Sequence, residues 1–209
     1  WMPVGQRGRN HLVGLNQSKF SSIAYVNMLF DAFTRRRLLR PALGDVPDVH
    51  APERFRSELT NSARSLVGNA TRADFLTTMA DSYLVKVDRA SMLESLEIRA
   101  PFLDHELVEF AFGKLPDHLR ADGSGRKILL RKLAAKLLPK DLDLKRKQGF
   151  SMPLDDWLRG AWGDRTRELI ADLPKEIFNH KCVDQLFVGQ QKGRRNAIRL
   201  FALAIFSLW

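Results

Sequence analysis

Apolar residues recur at three- and four-residue intervals along most of the chain. That periodicity predicts helices rather than half-buried strands. Ser21 to Leu39 reads as a helix, with Ile23, Val26, Leu29 or Phe30, and Phe33 at helical spacing. Pro41, Gly44, Pro47 and Pro52 follow as a linker. Pro52 suits a first helical position, and Phe55, Leu59, Ala63 and Leu66 continue one face up to Gly68. Thr71, with Asp74 three residues on, resembles a capping pair and opens a long helix running to about Glu97. Ala100-Pro101 stops it, because a residue before proline disfavours helical geometry. Asp104 is placed to cap a short helix through Ala111, and Ser124 to Leu138 forms another, stopped by Pro139. Pro153–Leu158 and Thr166–Leu173 are shorter candidates. Asn196 to Trp209 is apolar almost all round, which predicts a fully buried helix. Residues 1–20 carry three glycines with little periodicity and read as loop.

The fold class expected is therefore mainly α. A first segment, 1–51, holds loop, helix and linker, and 52–209 holds the main helical part. Apolar residues make up 44% of the chain and charged residues 28%, which excludes a disordered chain. No apolar run is long enough to span a membrane, and the first twenty residues have no apolar core for a signal peptide. The chain begins at Trp1 rather than Met and reads as a processed or truncated piece. Cys182 is the single cysteine, so no disulfide forms within the chain, which suits a reducing, cytoplasmic setting.

The net charge of +10 changes the picture through its distribution. Basic residues concentrate in Arg35-Arg36-Arg37, in Arg126 to Lys147, and in Lys192 to Arg195. Such blocks attract anions, phosphates above all, or else form a solvated helix face. On the long helix, Val85, Arg89, Met92, Leu93 and Leu96 fall on one face, with Lys86 nearby. An arginine among aliphatic residues needs a counter-charge. A salt bridge from Arg89 to Asp81, Asp88 or Glu97 would supply it, and so would a bound anion.

Arg99 sits at the apolar, proline-bearing turn Glu97-Ile98-Arg99-Ala100-Pro101, where helix capping does not explain it. Asp122-Gly123-Ser124-Gly125-Arg126-Lys127 leads into a helix, where glycines and a helix N-terminus can receive an anion, although the Walker spacing is absent. Leu129, Leu130, Leu133, Leu137 and Leu138 form that helix's expected buried stripe, with Lys127 and Arg131 along its border or merely snorkelling over it. Lys145-Arg146-Lys147-Gln148-Gly149-Phe150 reads as a loop, whose lysines could neutralise a departing phosphate or contact nucleic acid. The five histidines are scattered, and no metal site is expected.

Leu84-Val85-Lys86-Val87-Asp88-Arg89-Ala90-Ser91-Met92 and Leu96-Glu97-Ile98-Arg99-Ala100-Pro101-Phe102-Leu103-Asp104-His105 together resemble the glutamine-dependent asparagine synthetase family. Gly125-Arg126-Lys127 with Leu130-Arg131, and Arg146-Lys147-Gln148-Gly149-Phe150-Ser151-Met152-Pro153, match later blocks in the same order. The likeness is strong from about residue 72 to 160 and diffuse elsewhere. It implies the helical C-terminal half of a PP-loop (adenine nucleotide alpha hydrolase-like) α/β synthetase domain, with the sheet-bearing half absent. It also implies an ATP-dependent amidotransferase that adenylates a carboxylate and then forms an amide with glutamine-derived ammonia. On that resemblance Lys147 contacts pyrophosphate and stabilises adenylation, and Lys127 faces the same phosphates. Arg89 lines the cleft, Arg99 belongs to a phosphate-proximal turn, and Lys86 borders the pocket.

The family's Ser-Gly-Gly-x-Asp-Ser loop and its Glu-Gly-x-Asp-Glu segment occur nowhere in the sequence, nor does an N-terminal nucleophilic cysteine. ATP and Mg2+ are thus implied for an intact enzyme, and neither is expected on this chain alone. The implied partners are the PP-loop half and a glutaminase domain, with a homodimer also possible. Two other readings compete: a degenerate, non-catalytic partner-binding module, and a basic nucleic-acid-binding helical domain. The last ranks lowest, because aromatic residues do not interleave with the cations.

Overall fold

The computed structural model describes residues 2–18, 21–26, 28–40, 48–60, 64–143 and 152–209. Among them the helices are α1 (Arg9–Leu15), α2 (Ser22–Val26), α3 (Ala32–Leu38), α4 (Ala51–Glu58), α5 (Leu66–Asp74) and α6 (Val85–Met92). They continue as α7 (His105–Gly113), α8 (Asp117–Arg120), α9 (Ile128–Leu137), α10 (Leu154–Arg159), α11 (Ala161–Ala171), α12 (His180–Gln191) and α13 (Ala197–Leu208). A π-helical stretch, Phe75–Leu84, joins α5 to α6, and a 3-10 turn spans Pro101–Leu103. The strands β1 (Ala121–Asp122) and β2 (Gly125–Arg126) pair antiparallel as a short hairpin. The protein is mainly α, as the periodicity predicts. No described helix is long and apolar enough to cross a membrane.

Two compact units emerge, one of Trp1–Ser57 with Phe150–Trp209 and one of Glu58–Gly149. The first unit is organised around α12. Cys182, Val183, Leu186 and Phe187 recur at helical spacing and meet Ile170 of α11, and Leu200 and Leu203 of α13. Leu38 of α3 joins this core, and an isolated bridge links Leu39 to Phe178. Gln190 ties three helices together. Its Nε2 donates to Asp155 Oδ1 at 2.8 Å, and its Oε1 accepts the Asn196 amide at 2.8 Å.

Several expectations change here. Residues 1–20 are not all loop, since α1 forms and packs on α2. The helix expected over Ser21–Leu39 is two helices. Asp31, in extended geometry, accepts the Thr34 amide at 2.8 Å and starts α3 afresh. A short carboxylate satisfies orphan amides at a helix start better than it serves a helix interior. The central helix α12 has no predicted counterpart, because Asp184, Gln185 and the Gly189-Gln190-Gln191 run dilute its apolar stripe. Within the described residues α13 is covered on one face only. Leu200, Leu203 and Ala204 are buried, whereas Ile198, Ile205, Phe206 and Leu208 are exposed.

In the second unit, helical structure runs without a break from Leu66 to Met92. Ser65 caps it by accepting the Gly68 amide at 2.9 Å. Thr71 does not cap; its hydroxyl donates to the Val67 carbonyl at 2.8 Å, one turn back. The helix stops before the expected Glu97. Ser95 takes φ 54, the Leu96 amide reaches the Ser91 carbonyl at 3.0 Å, and the Ser95 amide reaches Met92 at 3.0 Å. This is a Schellman ending, with a serine in the left-handed position glycine usually fills.

The Asp104 cap forms as the sequence predicts, accepting the Glu106 amide at 3.0 Å. The helix expected from Ser124 starts only at Ile128, because 121–126 is taken by the hairpin. Its leucine stripe is not buried among the described residues: Leu130, Leu133, Leu137 and Leu138 are all exposed.

Candidate functional site

Within the second unit, the end of the π-helical stretch and the start of α6 face the turn before α7 across an open cleft of about 710 Å³. Leu84, Val85, Val87, Ile98, Pro101 and Leu103 form its apolar walls, and Asp88, Arg99 and Asp104 its charged positions. Pro101 and the Asp104 cap fix the backbone on both sides of this turn, so Arg99 projects from a rigid support.

Arg99 has a local partner that the sequence reading does not foresee, an ion pair with Glu97. Both side chains are largely solvent-exposed, at 87% and 69%, so an incoming anion competes with a weak, screened contact.

Arg89 lies exposed on α6, and none of the proposed salt bridges to Asp81, Asp88 or Glu97 forms. The aliphatic face around it is itself exposed: Val85, Met92, Leu93 and Leu96 all stand open. The burial argument for a counter-charge therefore does not hold here. Lys86 stacks its ammonium over the Tyr83 ring at 5.3 Å. Neither Lys86 nor Arg89 lines the cleft, although both flank Asp88 on the same short helix.

Lys127 is exposed, takes φ 60, and precedes the first residue of α9. Its amide donates to the Arg120 carbonyl at 2.7 Å, joining the hairpin's end to α8. Lys147 and its Lys145–Phe150 loop lie outside the described residues.

The glycine-bearing turn before Lys127 is not an open anion cradle. Asp122 Oδ1 accepts the Ser124 amide at 2.8 Å, the Ser124 hydroxyl at 2.6 Å and the Gly125 amide at 3.1 Å. The turn's own carboxylate occupies the amides that sequence reasoning offers to a phosphate, and these bonds hold the Asp122 pKa below its usual value.

The structure thus joins Arg99 with Asp88 and Asp104 in one cleft. Asp88 is the functional candidate the sequence reading passes over, although it sits inside the quoted Val87-Asp88-Arg89 block. Among the described residues no three His, Cys, Asp or Glu side chains gather as a metal site.

A family model described as asparagine synthase matches residues 9–209. Over its whole length the chain is 28% identical to asparagine synthetase [glutamine-hydrolyzing] 1 of Bacillus subtilis (strain 168), of which it covers 33%. It is 36% identical over 120 residues to asparagine synthetase [glutamine-hydrolyzing] 3 of the same organism, aligning 54% of the chain with 18% of that protein. A putative asparagine synthetase [glutamine-hydrolyzing] of Mycobacterium bovis is 29% identical over 155 residues, 68% of the chain and 22% of the relative. The chain therefore spans a third or less of the length of these relatives. No solved structure matches it.

Proposed function

Since the chain belongs to the asparagine synthase family, we propose that it is the cation-bearing part of an ATP-dependent amidotransferase. In the proposed reaction a carboxylate oxygen attacks the α-phosphate of ATP and pyrophosphate departs. Ammonia from glutamine then attacks the acyl carbon and displaces AMP.

The roles proposed for this chain are electrostatic. Lys147 and Lys127 would neutralise the departing pyrophosphate, with Arg99 gripping it from the turn and Arg89 and Lys86 adding positive field. Fixed cations lower such a barrier because the charge they stabilise grows as the bond to pyrophosphate breaks. The observation that supports the reading is Arg99, held by the Pro101–Asp104 turn at an open cleft and paired there with an exposed carboxylate, Glu97.

The described residues do not fit a magnesium site. The ATP loop, any metal ligands and the glutaminase are proposed to lie in partner segments, the sheet-bearing PP-loop half among them. The cytoplasm is the proposed location.

Isotope exchange between pyrophosphate and ATP, measured on the parent protein, tests the proposal. Arg99→Ala and Lys127→Ala should each depress exchange while leaving glutamine hydrolysis intact. Undiminished exchange in both variants would remove the proposal. The 209-residue chain alone should show no tight ATP binding by isothermal titration.

A non-catalytic partner-binding module is the second reading, favoured by the exposed leucines of α9. It requires that the parent protein support no exchange at all.

A further inference from the structure

In the first unit, one buried glutamine sets the spacing of two opposite charges. Gln190 of α12 is only 3% exposed. Its Nε2 donates to Asp155 Oδ1 of α10 at 2.8 Å, and its Oε1 accepts the Asn196 amide at 2.8 Å. Asn196 directly follows Arg195, whose own amide donates to the Gly5 carbonyl at 2.9 Å. The carboxylate of Asp155 and the backbone that carries Arg195 are therefore tied to the same side chain. Bonds of this kind fix the geometry of a site before any ligand arrives.

Asp155 and Arg195 line one open pocket of about 360 Å³, within the size range of small-molecule sites. Met152 and Leu154 at the start of α10 and Ile198 of α13 form apolar walls of the same pocket, and Asp156 is its third charged position. Asp156 is matched by Arg159, one turn along α10 at 3.6 Å. Among the described residues, neither Asp155 nor Arg195 enters an ion pair, with each other or with any other side chain. The Gln190 bond occupies one Asp155 oxygen and brings no charge to it. The pocket thus presents a carboxylate and a guanidinium that do not neutralise one another, beside an apolar surface. Such a carboxylate accepts from an ammonium group, and such a guanidinium donates to a carboxylate.

We propose that this pocket binds a small zwitterionic amino acid, its ammonium on Asp155, its carboxylate on Arg195 and its apolar body against Leu154 and Ile198. Neither Asp155, Gln190 nor Arg195 belongs to the proposed ligase set, so the inference stands apart from that reading.

Proton–nitrogen NMR of the 209-residue chain, titrated with L-leucine and with ε-aminocaproate, tests it. The first probe carries both charges on one carbon and the second carries them at opposite ends, so the tighter one names the spacing. At least one should shift the Arg195 Nε–H and the Gln190 side-chain amide resonances saturably. Isocaproate lacks the amine and isoamylamine lacks the carboxylate, so each should bind at least about tenfold more weakly, having lost one charge-assisted contact. Asp155→Asn, which still offers Gln190 an acceptor, and Arg195→Gln should each weaken zwitterion binding by a similar factor. No saturable shift with either zwitterion, equal binding by a half-ligand, or undiminished binding in either variant would overturn the site. Should Asp155→Asn fail to fold, the exposed Arg195→Gln and the two half-ligands decide.

Discussion

The guanidinium of Arg9 and the carboxylate of Asp31 form a buried ion pair between α1 and the start of α3, and the same carboxylate caps α3. Asp31→Ala removes both at once. Breaking a buried pair from one side leaves an uncompensated charge and costs on the order of 3–5 kcal/mol. Urea denaturation should show a loss of that size. A loss no larger than that of an ordinary surface alanine would mean that Arg9 finds another partner.

Gly5 and Gly8 share φ 84, yet they should respond differently to alanine. At either position the left-handed backbone costs about 1–2 kcal/mol for a residue with a Cβ. A Cβ at Gly8 meets nothing within 4 Å, whereas at Gly5 it would overlap the Asn196 side-chain oxygen. Asn196 cannot easily give way, because it is buried and its Nδ2 donates to the Leu186 carbonyl at 3.1 Å. Gly5→Ala should therefore lower the thermal midpoint clearly more than Gly8→Ala, and equal shifts would show that Asn196 moves freely.

These contrasts show what the sequence could and could not disclose. The Pro101 turn and the Asp104 cap were legible because their cause lies within three residues of their effect. The break at Asp31 was equally local, but apolar spacing on both sides masked it. The ending at Ser95 was not legible, since nothing in a serine announces a left-handed backbone. The exposure of α9's leucines and of α13's second face is not legible for a different reason: periodicity reports which face is apolar, not what covers it. At the candidate site, the quoted motif blocks led to Arg99. Its Glu97 partner and the cleft shared with Asp88 depend on how the chain turns between α6 and α7, not on local residue spacing.

Arg99 should separate catalysis from stability. Its ion pair with Glu97 is exposed, so Arg99→Ala should leave the denaturation midpoint within experimental error. If it grips departing pyrophosphate, exchange in the parent protein should fall by roughly 10²–10³-fold, the usual loss for one transition-state donor. Arg99→Lys should recover only part of this, because a point charge does not replace a planar fork. Full activity in Arg99→Lys would point to general field rather than bidentate contact.

Cys182 lies in the core of α12, and burial raises its thiol pKa, with Arg37 opposing more weakly. The thiolate is the reactive form, so both access and ionisation are suppressed. At pH 8 the native chain should react with a disulfide reagent far more slowly than the urea-unfolded chain, at a rate that follows opening of the first unit. Equal rates in the two states would show that α12 does not shield the sulfur.

Asp122 supplies the acid-side prediction. Its pKa is lowered by the Ser124 hydroxyl first, then by the Ser124 and Gly125 amides, all bonded to one oxygen. A depressed folded pKa means that the folded hairpin binds the proton less readily than the unfolded chain, so stability falls as pH falls. The contribution is complete above the unfolded value of about 3.9 and is lost as pH drops through the lowered folded value. The Ser124 and Gly125 amides should therefore gain hydrogen-exchange rate, relative to intrinsic rates, only below about pH 4. Asp122→Asn should remove this pH dependence while retaining a neutral acceptor for the turn. Persistence of the acid-induced opening in Asp122→Asn would assign it to another carboxylate.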